Sequence, residues 1–293
     1  MKKIVCFGEI LWDVFPTHKK IGGAPLNVAS RLSSFNNSVS MISAIGNDER
    51  GKKLLRYLND NNINTSCIET LNDYKTGKVK VMLNEKGSAS YDIKFPRAWD
   101  KISLTESSKN AVKNADAFVF GSLVARDETS RKTLYDLVEI ANYNIFDLNL
   151  RTPYYTQDVL THLMEKADFI KFNDEELYEV SDYLGSKYNG LEQNLKFISE
   201  KTNTKNICVT KGEHGAVLLQ NDNLYYNSGY QIKVIDTVGA GDSFLASLTS
   251  QLLNGEKPQK AIDFACAVGA LVAQNEGANP KLSTSEIKKF MNL

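Results

Sequence analysis

The chain has 293 residues, 42% of them hydrophobic and 24% charged, so it can bury a sizeable core as one large α/β domain or two smaller ones. Lysine plus arginine and aspartate plus glutamate balance at 35 each, which removes any global pull toward nucleic acid or an anionic membrane. The Met-Lys-Lys start is too short and charged for a signal peptide, and no apolar stretch reaches membrane-spanning length, so a cytoplasmic protein is expected. The four cysteines (6, 67, 208 and 266) form no CxxC, and three lie in apolar runs that read as buried free thiols.

In chain order, residues 3–8 read as a buried strand ending at Gly8. Residues 25–35 suit a helix opened by Pro25, residues 40–45 a second strand, and residues 49–61 a helix with Leu54, Leu55 and Leu58 at helical spacing. From Cys67 to Phe95 the pattern alternates, with Asn84–Gly87 between two runs, which predicts a β-hairpin with exposed faces. Thereafter strands (117–121, 144–148, 169–173, 206–211) alternate with helices (128–142, 156–166, 174–184, 191–201). A second hairpin turns around residues 221–223, and helices at 240–253, 258–273 and after Thr284 close the chain. This βαβ order predicts a doubly wound, mostly parallel sheet carrying a small β appendage. No linker divides the chain, so one domain over 1–293 is expected, with a lid from about 9–20 and 67–99.

The most informative segment is Asp236-Thr-Val-Gly-Ala-Gly-Asp-Ser-Phe244. Gly239, Ala240 and Gly241 leave the backbone uncovered where a helix begins, so their N–H groups and the helix dipole can meet an anion. Asp242 puts a carboxylate beside that cradle, the pair required for phosphoryl transfer onto a hydroxyl. By contrast, Gly46–Lys52 has only the outline of a P-loop, because Lys53 stands where Ser or Thr is needed. No GxGxxG follows a strand.

Other segments fit two readings each. Gly22-Gly23-Ala-Pro-Leu-Asn27 offers bare backbone and an amide to a ligand, or is an ordinary turn into a helix. Asp147, Asn149 and Arg151 share one face at a strand's C-terminal end, where open α/β sheets bind ligands, or form a solvated strand end. Asn173 and Glu176 have capping-box spacing. Thr210–Gly215 is a turn after a strand.

Together these segments make the chain resemble the ribokinase-like, or PfkB, family of carbohydrate kinases over essentially its whole length. Gly22-Gly-x-x-x-Asn27-x-Ala29 and Asp236–Asp242 are the most specific parts. Within the family the likeness is greatest to bacterial fructokinases, through Gly8–Asp13, Gly22–Pro25, Gly121-Ser-Leu with Arg126, and Asp147–Arg151. The resemblance implies a three-layer α/β/α sandwich with a mostly parallel central sheet and a β lid. It implies Asp242 as general base and Gly239, Ala240 and Gly241 as the anion hole. Asp13, Gly22, Gly23 and Asn27 would hold the sugar, with Arg151 near sugar or phosphates, and Arg97 and Trp99 closing from the lid. Asn173 and Glu176 would organise Mg²⁺ and phosphate through water, and Thr210, Lys211, Gly212 and Gly215 would line the nucleotide. Cys266 stands near the adenine, where many members have Asn. Asp236, Val238 and Gly277 would form a monovalent-cation site, usually for K⁺.

The expectation is an ATP- and Mg²⁺-dependent kinase with D-fructose as first choice. 2-Keto-3-deoxygluconate, ribose and nucleosides are the competing acceptors, and a sugar-sensing regulator on a kinase scaffold is the non-enzyme alternative. No nucleic-acid or membrane partner is expected. Val79, Val81, Leu83 and Ile93 lie on faces that a small lid cannot wholly bury, and lids of this family often pair, so a homodimer through the lid is expected.

Overall fold

Strands buried on both faces read as near-continuous apolar runs, and residues 117–120 show the consequence. Phe118 and Phe120 enter one core while Ala117 and Val119 enter the other. The computed structural model describes residues 1–83 and 89–292. Strand β1 (Lys3–Phe7) leads to two short strands, β2 (Leu11–Val14) and β3 (Lys19–Gly22). Helix α1 (Ala24–Ser34), β4 (Ser38–Gly46), α2 (Glu49–Asp60) and β5 (Ile63–Leu71) follow. Next come β6 (Gly77–Leu83), β7 (Ala89–Ile93), α3 (Glu106–Lys113), β8 (Ala117–Gly121), α4 (Glu128–Val138) and β9 (Asn144–Asp147). Then α5 (Gln157–Glu165), β10 (Phe169–Asn173), α6 (Asp174–Tyr183), α7 (Leu191–Thr202) and β11 (Asn206–Thr210) continue the alternation. The hairpin β12 (Ala216–Gln220) and β13 (Asn223–Asn227) precedes α8 (Ala240–Leu253), α9 (Pro258–Ala273) and α10 (Thr284–Met291).

Among the described residues nine strands form one sheet in the order β13-β12-β11-β10-β9-β8-β1-β4-β5. Pairing is parallel from β5 through β11, and only β12 and β13 run antiparallel to their neighbours. One face carries Leu134, Leu160, Leu177 and Leu195 from α4 to α7, with a stacked pair of rings, Phe120 and Phe146, beneath them. The other carries Leu26, Leu54, Leu245 and Ala261 from α1, α2, α8 and α9. This is the expected three-layer sandwich. The chain leaves β1 toward β4 on one side and β8 on the other, so a crevice opens at the carboxyl ends of these strands.

A second sheet has the order β3-β2-β6-β7. It begins later than the alternation suggests, because Cys67–Leu71 belong to β5 and pair with β4 in the large sheet. Val79, Val81 and Ile93 are also not spare apolar surface. They are at most 6% exposed and pack with Leu11 and Trp99 into the main core. The Asn84–Gly87 turn and the Leu83 side chain lie outside the described residues. Arg126 ties this sheet down: it makes two hydrogen bonds to Asp100, donates to the Lys94 carbonyl, and lies 4.1 Å over the Trp99 ring.

The P-loop-like segment closes on itself. The Asp48 carboxylate accepts from the Gly51 N–H at 2.9 Å and from the Thr76 hydroxyl at 2.8 Å. It caps α2 and leaves no phosphate cradle.

Candidate active site

Helix α8 starts without a side-chain cap. Gly239, at φ +75°, is its N-cap, and a Cβ there would stand 2.4 Å from that of Ala278. Only glycine takes that conformation in that space. The Ala240 and Ser243 amides donate to Thr237 and Gly239, while those of Gly241 and Asp242 have no acceptor among the described residues. Two open donors on the positive end of a 14-residue helix make an anion site.

Asp242 sits in the first turn of α8, and its Oδ2 accepts from Asn27 Nδ2 at 2.8 Å. Asn27 is fixed in turn, since its Oδ1 accepts from Asn279 at 2.9 Å. One turn further along α1, the buried Arg31 donates to Ser243 Oγ and to the Pro280 carbonyl, locking α1 against the start of α8. Burial pushes the Asp242 carboxyl up to about 6, with Asp147 adding to the rise and Asn27, Lys171 and Arg151 opposing it. Burial likewise raises Asp13 to about 6 and Glu9 to about 7, and both feel Arg151 and Asp242. Asp13, Asn27, Arg151 and Asp242 therefore lie near one another.

The paired glycines have a different immediate use from the one expected. A Cβ on Gly22 would fall 2.1 Å from Asp13 Oδ2, and one on Gly23 would fall 2.4 Å from the Glu9 carbonyl. They make room for the chain's own Asp13 and Glu9. The common face for Asp147, Asn149 and Arg151 does not form either. Strand β9 stops at Asp147, Asn149 turns to φ +42°, and Arg151 is exposed with a hydrogen bond to Leu150.

Asp147 instead accepts from Lys171 Nζ at 2.9 Å, both side chains being at most 8% exposed. Asp147 Oδ2 is buried without a partner among the described residues. Glu176 caps α6 with Asn173, and its two oxygens accept from the amides of Leu150 and Asn173 at 2.8 Å each. Burial raises the Glu176 carboxyl, against the pull of Lys171. A cleft of about 850 Å³ opens beside this group, lined by Asn173, Thr210, Gly215, Gly241, Phe244 and Cys266 among others. Gly212 and Ala240 also border it. Lys211 lies close enough to act on the Cys266 thiol, which burial pushes up to about 12.

In the loop before α8, Asp236 accepts from the amides of Val238 and Gly277 at 3.0 Å each and from Lys20 Nζ at 3.3 Å. Burial raises its carboxyl, but these donors outweigh burial and hold it below its usual value. One lid residue, Trp99, is placed otherwise than expected. Trp99 is fully buried under Arg126 and roofs nothing. Arg97 stands with Arg50, Lys94 and Lys19 around Lys78, whose ammonium is depressed by burial first and then by these four cations. Lys78 pairs with Trp12, one residue out of step with the Asp13–Val79 pair, and so lies on the opposite face of β6 from Val79.

Sequence reasoning passed over Glu9, Lys171 and Asn279. A lone lysine between Ile170 and Phe172, in a strand buried on both faces, was the available signal for one of them. The assembled group, an open anion site beside a buried carboxylate of raised pKa, can hold a negative group while accepting a proton.

Residues 1–285 match the profile of the pfkB family carbohydrate kinases. The chain is 29% identical to probable fructokinase-6, chloroplastic, of Arabidopsis thaliana, over 97% of its own length and 80% of that protein's. The structure of an uncharacterized sugar kinase from Pyrococcus horikoshii in complex with ATP superposes with a TM-score of 0.85 at 27% identity, covering 99% of both chains. A double mutant of fructokinase from Vibrio cholerae O395, in fructose-, ADP- and potassium-bound form, gives 0.86 at 23%, covering 99% of this chain and 98% of the other, and shows the fold.

Proposed function

Because the chain belongs to the pfkB family of carbohydrate kinases, we propose that it transfers the γ-phosphoryl group of ATP to the primary 6-hydroxyl of D-fructose. One observation carries the reading: Asp242, buried and held by Asn27, stands in the same helical turn as two open amides. Fructokinase names among the relatives support the choice of sugar.

In this reading the sugar sits against Asp13, Gly22, Gly23 and Asn27, with Arg151 beside it. Asp242 takes the proton as the hydroxyl attacks the γ-phosphorus, and the open amides of Gly241 and Asp242 receive the charge that develops, since the Ala240 amide is already given to Thr237. A pKa near 6 leaves Asp242 ionised at neutral pH yet more basic than an ordinary aspartate. The nucleotide lies in the 850 Å³ cleft along Thr210, Gly212 and Gly215, with Lys211 near Cys266 and Cys266 toward the base. Closure of the small sheet keeps water from competing as acceptor.

Mg²⁺, when bound, neutralises phosphate charge. Among the described residues no three His, Cys, Asp or Glu side chains gather to cage an ion, which suits a cation held by phosphates and water. Asn173 and Glu176 would face that water shell. A monovalent cation would take backbone ligands around Val238 and Gly277, because the Asp236 carboxylate is already matched by Lys20. The buried free thiols suit the cytoplasm. A homodimer through the small sheet rests now on its edge and on Phe95, 57% exposed; light scattering tests it.

Coupled ADP release with Mg-ATP and K⁺ tests the whole reading against fructose, ribose, 2-keto-3-deoxygluconate and adenosine, with Asp242→Asn as control. Signal on fructose alone is expected. Activity only with the keto acid would move Arg151 to its carboxylate and replace fructose, and silence with all four would favour a sugar sensor.

A further inference from the structure

Lysine 171 is the one cation in the β10 sequence and is 6% exposed. Burying an ammonium in a two-faced strand is costly unless partners repay it. Among the described residues it makes one hydrogen bond, to Asp147, and a lysine has three donors. Its position says where the others can go. A Cβ built on Gly241 would lie 3.6 Å from Lys171 Nζ. Gly241 lines the cleft and carries one of the two open amides. The ammonium therefore stands against the very residue that carries an open amide of the anion site.

Resting on the phosphoryl-transfer reading above, we propose that Lys171 is a catalytic residue whose ammonium donates to the phosphoryl group at the start of α8, with Asp147 as the positioning residue that holds it. The lysine keeps its proton throughout. The bonds that change are the γ-phosphorus to leaving oxygen, which breaks, and the γ-phosphorus to acceptor oxygen, which forms; the acceptor's proton goes to Asp242. A fixed charge in a water-poor site stabilises the transferring group more than the amides can alone. The surroundings keep it charged. Burial opposes the ammonium, but Asp147, Glu176 and Asp242 outweigh burial and raise its pKa.

The experiment is steady-state kinetics on the full chain with Mg-ATP and the sugar that gives the fastest ADP release. Lys171→Met is expected to lose about 10²–10³ in kcat, the cost of one oxyanion donor, with acceptor KM within about threefold. Lys171→Arg should recover part of the loss. A second readout separates chemistry from structure. Lys171 lowers and Asp147 raises the Asp242 pKa, so Lys171→Met should move the acid limb of the pH–rate profile up and Asp147→Asn should move it down. A folded Lys171→Met enzyme with kcat within about threefold of wild type and an unmoved limb would overturn the proposal. If that variant does not fold, Lys171→Met with Asp147→Asn removes both buried charges, and wild-type kcat in this double variant would overturn it equally. A wild type silent with every sugar overturns both readings, whereas an active wild type that depends on Asp242 but not on Lys171 overturns this one alone.

Discussion

The start of α8 and the small sheet face each other across the crevice, and they are held in opposite ways. The first turn of α8 is gripped by elements far apart in sequence. Asn27 and Arg31 of α1 reach Asp242 and Ser243, Ala278 packs on Gly239, and Lys171 of β10 stands behind Gly241. The small sheet rests on the core through Leu11, Val79, Val81 and Ile93, is clamped at one end by Arg126, and touches the α8 loop through Lys20. Groups that carry out chemistry need placement within fractions of an ångström, which only several independent contacts supply. A sheet that must admit a sugar can have few such contacts at its mouth.

The largest expected effect falls on the rigid side. Asp242→Asn preserves shape and the Asn27 contact but removes the proposed base, so kcat should fall about 10²–10⁴-fold with no fall in melting temperature, because the ionised form that burial disfavours is gone. Turnover within tenfold of wild type would dissociate the chemistry from α8. On the other side, Arg126→Met breaks the buried Arg126–Asp100 pair, whose side chains are 3% and 0% exposed. Leaving Asp100 uncompensated should cost about 3–5 kcal/mol of stability, read by denaturant melting. An unchanged midpoint would show that the sheet needs no clamp.

Asn27→Ala is the intermediate case. Loss of a hydrogen bond to a charged group costs about 1.5–3 kcal/mol. Asn27 lowers the Asp242 pKa while burial raises it, so its removal should shift the acid limb of activity upward. In the wild type that limb is expected near pH 6, because activity requires the ionised carboxylate and falls as Asp242 is protonated. Asp13 at about 6 and Glu9 at about 7 titrate beside it, so the limb belongs to the coupled acids. A wild-type limb near pH 4 would place Asp242 in solvent.

The same contrast separates what was legible in the sequence from what was not. The α8 site occupies nine consecutive residues, and both its glycines and its aspartate act through local backbone geometry, so it could be read directly. The parallel strands were legible because burial on two faces writes itself into every position. In the small sheet the β6–β7 hairpin was legible from its alternation, but the other two strands were not. Strands β2 and β3 have four residues each, and β2 depends on β6, which begins 66 positions after Leu11. Helix α3 hid because it buries little beyond Ser108 and Val112. Trp99 was assigned by proximity to the hairpin, whereas the Arg126 stack decides where it goes. Lys171 escaped because its meaning lies in Gly241, 70 residues away.

The smallest expected effect tests the hinge between the two regions. Lys20 on β3 reaches Asp236 at 3.3 Å, with the two side chains 35% and 21% exposed. A pair this wet is worth at most about 1 kcal/mol, or about fivefold in a closing equilibrium. Lys20→Met should therefore raise acceptor KM by no more than about fivefold and leave kcat alone. Exposed pairs are screened by salt, so wild-type KM should drift toward the variant's at about 1 M KCl while the variant barely responds. A KM rise beyond tenfold, or equal salt sensitivity in both proteins, would mean that Lys20 binds the sugar itself. The small sheet would then be a wall of the site rather than a cover held shut from outside.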